Sequence, residues 1–388
     1  MSITREEVRE RRETNRSLKI QQLRQQGFPR SFGMRWVVRL AFAAPYIAIA
    51  LYVNLSGSAL AATPNAALAA RAADIGWDRV DVAWLEQLYP PLTTILASLI
   101  PGGRLGIAVV GAAIAGGVLH RLLEIMVQRN YPRGTVVLLL LAFGANPLYV
   151  YTATENFEGL ICLALFAVGL ANTVRFFAWN DTQAGFRAGL MFMLAVLASP
   201  AGFFYVVVAI LAAPFLRLAR REQEGARAAN VLILAFPTVA SLLAFAFLEW
   251  AFLGQPFNFV VTLVQHGRPI AEVMAILFTT FNGFLVMAPV LSAWLVALIV
   301  RKPGAILIST LVFFGVVANS VLGFLPVNSA GDTFLLMVLM AIVLIPTAKS
   351  LPTILLVDVV AVLQIVIAWG AAFNRPIVLE WLHAIGLT

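Results

Sequence analysis

Asp74, Asp78, Asp81 and Glu86 stand close together in a stretch otherwise rich in Ala, Pro and aromatic residues, and Glu155 and Glu158 flank a second short polar segment. Carboxylates beside apolar surroundings can accept a proton from a hydroxyl. Partial desolvation raises their pKa towards the range that base catalysis at neutral pH requires. Asp81 and Asp78 are the candidates for such a base. Asp74 and Glu86 read more readily as solvent-facing acids. Further acids, Glu272, Asp332 and Glu380, fall in later polar segments.

Cations that could hold a phosphate are few outside the basic loops. Gln265-His266-Gly267-Arg268-Pro269 offers His266 and Arg268, the latter with a guanidinium suited to bidentate contact. Arg104 and Arg375 each adjoin the end of an apolar run, where an interfacial anchor is the competing role. Tyr89, with Trp77 and Trp84, marks an aromatic belt. Asp358 lies inside an apolar run, where an acid faces a cavity or a partner. Three His and the single Cys162 give no metal-ligand spacing, so no cofactor is expected. The carboxylates are the one set able to hold a divalent ion.

The elements that position these groups follow from composition. The 388 residues are 61% hydrophobic and 12% charged, against about 25% charged in soluble domains. A bilayer must solvate that much apolar surface. Runs of about 17–25 apolar residues predict about eleven spans, near 36–55, 103–126, 134–152, 157–175, 187–200, 201–217, 230–252, 273–299, 305–325, 334–348 and 353–373. The run 187–200 is short, and Ser199-Pro200 suggests a hairpin or a bent, partly re-entrant element with the next. The expected fold is an all-α polytopic transmembrane bundle.

Nine of the 27 Lys and Arg lie in residues 1–35. This charged, helical arm precedes the transmembrane domain of residues 36–388, and no cleavable signal peptide is apparent. With the arm cytoplasmic, the alternating loops place Arg129, Arg133, Arg175, Arg217, Arg301 and Lys349 inside, in keeping with the positive-inside rule. The C-terminus is then extracytoplasmic, and compact loops suit a bacterial inner membrane. The net charge of +8 is therefore a topology signal and not a nucleic-acid surface.

Residues 56–102 form the first extracytoplasmic loop. Asn65 to Arg71 has helix-forming composition, and Val80, Trp84 and Leu88 make an apolar stripe at helical spacing. Both segments predict interfacial helices. Tyr89-Pro90-Pro91-Leu92 ends the second and opens an apolar stretch.

This loop and its Tyr-Pro-Pro-Leu run, leading to the Gly/Ala-rich span from Gly106 to Gly117, resemble the GT-C superfamily of membrane glycosyltransferases. Asn146-Pro147-Leu148-Tyr149, continuing to Glu155 and Glu158 and a Leu-rich helix, is similar to the family's second acid-bearing loop. The Gly189 to Pro200 hairpin, followed by basic Arg217 to Arg221, is similar to its short spans before a basic loop. The resemblance covers roughly residues 36–225. It implies inverting transfer of a sugar from a polyprenyl-phosphate donor to a glycan or lipid acceptor, with Asp81, or Asp78, activating the acceptor and Glu155 or Glu158 as the second-loop acid. Two features depart from the family: Asp78 and Asp81 are separated rather than adjacent, and no large soluble domain follows the last span.

Two other readings stay open. Pro147, Pro200, Pro214, Pro237, Pro289 and Pro346 interrupt spans, as in transporters whose sites form at broken helices, with Asp358 as the midplane group. A non-catalytic GT-C-like subunit of an envelope-assembly complex would keep the spans without requiring Asp81.

Overall fold

The computed structural model describes residues 27–56, 62–75, 83–128, 130–179, 181–213, 226–264, 267–299, 301, 303–324 and 350–387. Among them the chain is all-helical. The helices are α1 (Phe32–Leu55), α2 (Pro64–Ala73), α3 (Pro91–Leu99), α4 (Gly103–Gln128), α5 (Arg133–Gly144), α6 (Pro147–Glu155), α7 (Phe157–Trp179) and α8 (Thr182–Ala198). They continue as α9 (Gly202–Ala212), α10 (Ala226–Leu253), α11 (Asn258–Val264), α12 (Ile270–Thr279), α13 (Phe281–Ile299), α14 (Pro303–Val321), α15 (Leu351–Phe373) and α16 (Pro376–Ala384). A 3-10 turn occupies Ala83–Gln87.

Among the described residues, five helices are long and apolar enough to cross a membrane: α1, α4, α10, α13 and α15. A sixth crossing results if α5 and α6, bent by 53°, form one span. Long apolar faces remain uncovered, such as Leu232, Phe236, Val239, Leu243 and Phe247 on α10. Such faces are compatible with an integral membrane protein, because lipid solvates them and water does not. The count is smaller than the eleven expected from apolar runs. The run 273–299 is divided at Thr280 into α12 and α13, where Gly283 packs against the Ile276 carbonyl. The apolar helices over 182–198 and 202–212 are shorter than a span. The run 334–348 lies outside the described residues.

Helix α1 packs closely on α4 through a small-residue face. A Cβ on Gly116 would lie 2.6 Å from the Ala43 nitrogen and 2.7 Å from the Arg39 carbonyl oxygen, so backbone meets backbone there. Gly117, one residue on, faces open space. Gly116→Val should therefore cost about 1–3 kcal/mol through overpacking, whereas Gly117→Ala should be neutral or slightly stabilising. Thermal unfolding of both variants in one detergent checks this, and equal stability of the two would contradict it.

One turn further along this pair, Arg39 Nε donates to His120 Nδ1 at 3.3 Å. That leaves His120 Nε2 to donate to the Phe28 carbonyl at 2.7 Å. Glu124 accepts from Arg121 Nη1 at 2.6 Å and from the Phe28 amide at 3.3 Å. Glu124 thus pairs locally with Arg121 and also fastens the chain entering α1.

Two helix breaks set the position of the acids. Pro147 has no amide hydrogen and cannot continue α5. The Leu148 amide, which would otherwise bond Gly144, donates to Asn146 Oδ1 at 2.9 Å. Tyr46 hydroxyl then supplies the Gly144 carbonyl. The second break, at Asn156 (φ −138°, ψ 75°), separates α6 from α7.

Candidate functional site

Glu155 ends α6 and Glu158 lies in the first turn of α7, one on each side of the Asn156 break. A break in a continuous helix frees backbone groups, and here the first loop supplies their partners. The Phe157 amide donates to Asn65 Oδ1 at 2.8 Å, and Asn65 Nδ2 donates to the Thr154 carbonyl at 2.9 Å. Asn156 Oδ1 accepts from the Gly159 amide at 3.0 Å and caps α7.

The carboxylates are paired with cations from two other helices. Glu155 is fully buried and accepts from Arg104 Nη2 at 2.9 Å through Oε2. Its Oε1 is buried and takes no hydrogen bond. Glu158 pairs with Arg71 of α2. Burial pulls the Arg71 guanidinium down to about 10. Thr63 caps α2 by accepting from the Ala66 amide. Two first-loop side chains, Asn65 and Arg71, thus meet the second acid-bearing segment in one site, with Arg104 completing it from α4.

The first loop follows the sequence reading in part. The Asn65–Arg71 helix is present as α2, with Leu68 and Ala72 buried on the face that packs on α3, α4 and α7 and Ala67, Ala70 and Ala73 exposed on the other. The stripe of Val80, Trp84 and Leu88 is replaced, where described, by the 3-10 turn and an irregular end at Leu88. Asp74 and Glu86 are exposed, the former as the residue ending α2. Trp77, Asp78, Val80 and Asp81 lie outside the described residues. The residues on either side of that segment come together: Ile75, Leu85 and Leu88 share one apolar cluster with Phe245 and Phe259.

Tyr89 belongs to the rim of that cluster. Its ring stacks on Phe259 at 4.3 Å, and its hydroxyl donates to the Val196 carbonyl at 3.3 Å. Thr93, one turn into α3, donates to Ala198 at 2.9 Å, where α8 ends before Ser199-Pro200. The Tyr-Pro-Pro-Leu run therefore docks on the end of α8.

The cations differ in how they are used. Arg104 is engaged by Glu155. Arg268 is half-exposed, 3.9 Å from Glu272, and its amide bonds the Val321 carbonyl. His266 lies outside the described residues. Arg375, which precedes α16, is different. It is largely desolvated, and burial lowers its pKa without an opposing carboxylate. Among the described residues no acid forms an ion pair with it. Nearby in sequence, Trp381 of α16 is buried edge-on to Tyr151 of α6. Asp358 is half-buried in α15, with Oδ1 shielded and without a hydrogen bond.

Glu249 is a buried acid that the sequence reading passed over. Its Oε1 accepts from the Phe259 amide at 3.0 Å, holding the start of α11 under the Tyr89 stack. The signal was available: an acid in Phe247-Leu248-Glu249-Trp250 is an ionisable group in an apolar run. Asn65 had no such signal, because its partners lie about ninety residues away. Among the described residues no group of three or more His, Cys, Asp or Glu could hold a metal ion. Comparison with family models, curated proteins and solved structures finds no match for this chain.

Proposed function

We propose that the protein is a GT-C-like membrane glycosyltransferase. It moves a sugar from a polyprenyl-phosphate donor to an envelope glycan or lipid acceptor at the extracytoplasmic face. The observation that carries this reading is the meeting of the two acid-bearing loops, through Asn65, Arg71 and Arg104, around Glu155 and Glu158. In the inverting reaction, Asp81 takes the acceptor hydroxyl proton as its oxygen attacks the anomeric carbon. The sugar–phosphate C–O bond breaks, and polyprenyl phosphate leaves with the bonding pair. The donor phosphate needs a cation whose charge is not already neutralised. Arg375 meets that requirement, Arg268 less so, and Arg104 is committed to Glu155.

Arg375→Gln should weaken binding of a polyprenyl-phosphate sugar about 10- to 100-fold, the scale of a charge-assisted hydrogen bond. Titration of donor into protein held in nanodiscs measures this, with a labelled-sugar assay on a panel of acceptors alongside. Unchanged affinity removes Arg375 from the donor site. Donor binding by the wild type without transfer to any acceptor favours a non-catalytic subunit. Absence of donor binding by the wild type sinks the glycosyltransferase reading. It would favour a transporter, for which the shielded Asp358 and the broken helices are the supporting observations.

A further inference from the structure

The Asn156 break is closed by a side chain from a different part of the chain. In an uninterrupted helix the Phe157 amide would bond the Ala153 carbonyl, and the Thr154 carbonyl would accept from the Glu158 amide. The break removes both bonds. Asn65 restores the lost donor and the lost acceptor with one amide group, at 2.8 and 2.9 Å. The Ala153 carbonyl, also released, faces Gly111 of α4, where a Cβ would stand 2.7 Å from it. A side chain at position 111 would therefore push α6 away.

Asn65 is 1% exposed and is the second residue of α2, directly after Pro64. Arg71, further along the same helix, pairs with Glu158. The first-loop helix therefore holds the break at two points, one neutral and buried, the other charged and nearer solvent. Glu155 and Glu158 cannot change their relative position without breaking at least one of these contacts. A plain backbone break would leave both acids free to shift, because Asn156 alone carries the bend.

We propose that Asn65 is a positioning residue. It joins the first-loop helix and the acid-bearing break into one rigid unit, so that Glu155 and Glu158 are held at fixed positions, the first buried against Arg104 and the second beside Arg71. This rests on the glycosyltransferase reading for its catalytic consequence, but the mechanical coupling stands independently. An amide is suited to the role because it offers a donor and an acceptor together without adding charge between two carboxylates. Aspartate could keep the acceptor towards Phe157 and would lose the donor.

The test uses the full chain in nanodiscs, as wild type, Asn65→Asp and Asn65→Ala. Hydrogen–deuterium exchange is followed in peptides covering 62–75 and 154–160, together with kcat and the KM values for donor and acceptor. Asn65→Ala should speed exchange about 10- to 100-fold in both peptides at once, with Asn65→Asp intermediate. The kcat should fall by a similar factor while the donor KM moves less than about 3-fold, since positioning acts on the transition state. Exchange that rises in 154–160 alone would overturn the proposal, because α2 would then not depend on the contact. Unchanged exchange in both would overturn it as well. If the wild type transfers no sugar, the glycosyltransferase reading fails, yet the paired exchange response still decides whether Asn65 couples the two segments.

Discussion

Asp81→Asn should lower sugar transfer by about 10²- to 10⁴-fold, the usual contribution of a general base, with donor affinity within about 3-fold of wild type. Asparagine matches aspartate in shape and cannot take the acceptor proton, so the chemical step suffers while the donor site is untouched. Ile75 and Leu85, on either side of residues 76–82, are buried in one cluster with Leu88, Phe245 and Phe259. Glu249 and the Tyr89–Phe259 stack hold that cluster from below. Initial rates with a labelled donor at saturating acceptor measure the effect. Asp78→Asn is the essential comparison. If it collapses transfer and Asp81→Asn does not, the two residues exchange roles. If neither changes the rate, the first loop supplies no base.

Arg104→Met should destabilise the protein by about 3–5 kcal/mol, the cost of stranding a buried carboxylate. Side-chain exposure is 0% for Glu155 and 17% for Arg104, so water cannot replace the lost guanidinium. Adding Glu155→Leu should recover most of that loss, because an apolar pair in this site has no charge to desolvate. The double-mutant cycle on thermal or chemical unfolding then gives a coupling well above 1 kcal/mol, the range for residues in direct contact. The Arg71–Glu158 pair, at 30% and 17% exposure, should show a smaller coupling, about 1 kcal/mol or less. An Arg104→Met variant as stable as wild type would contradict the buried-pair account. A stable double variant that also retains full transfer would show that Glu155 takes no part in the chemistry.

Arg104 shows how far residue type alone can carry an assignment. From sequence it was a phosphate ligand or an interfacial anchor, since it stands at the mouth of an apolar run. In the structure it is a counter-ion to a buried acid 51 residues away. Arg375, level with Arg104 by position, is the desolvated cation without an acid partner among the described residues. Exposure and neighbours separate the two, because a guanidinium is available to a ligand only if no carboxylate already neutralises it.

The amino-acid sequence by itself determined that the chain is helical and apolar. Composition requires lipid or burial, and prolines at the first or second helical position after Asn146, Arg375 and Ser350 sit where their fixed φ is tolerated and no amide is needed. It also determined which segments carry acids, and that Asn65–Arg71 is helical. Tertiary structure decided that an apolar run can divide, as at Thr280, and which helices the buried face of α2 packs on. It alone brought Asn65 to the Asn156 break and Arg104 to Glu155. Periodicity reports which side of a helix is apolar. Which distant side chain satisfies a freed amide or a buried charge depends on helices meeting in space, and local residue order does not encode that meeting.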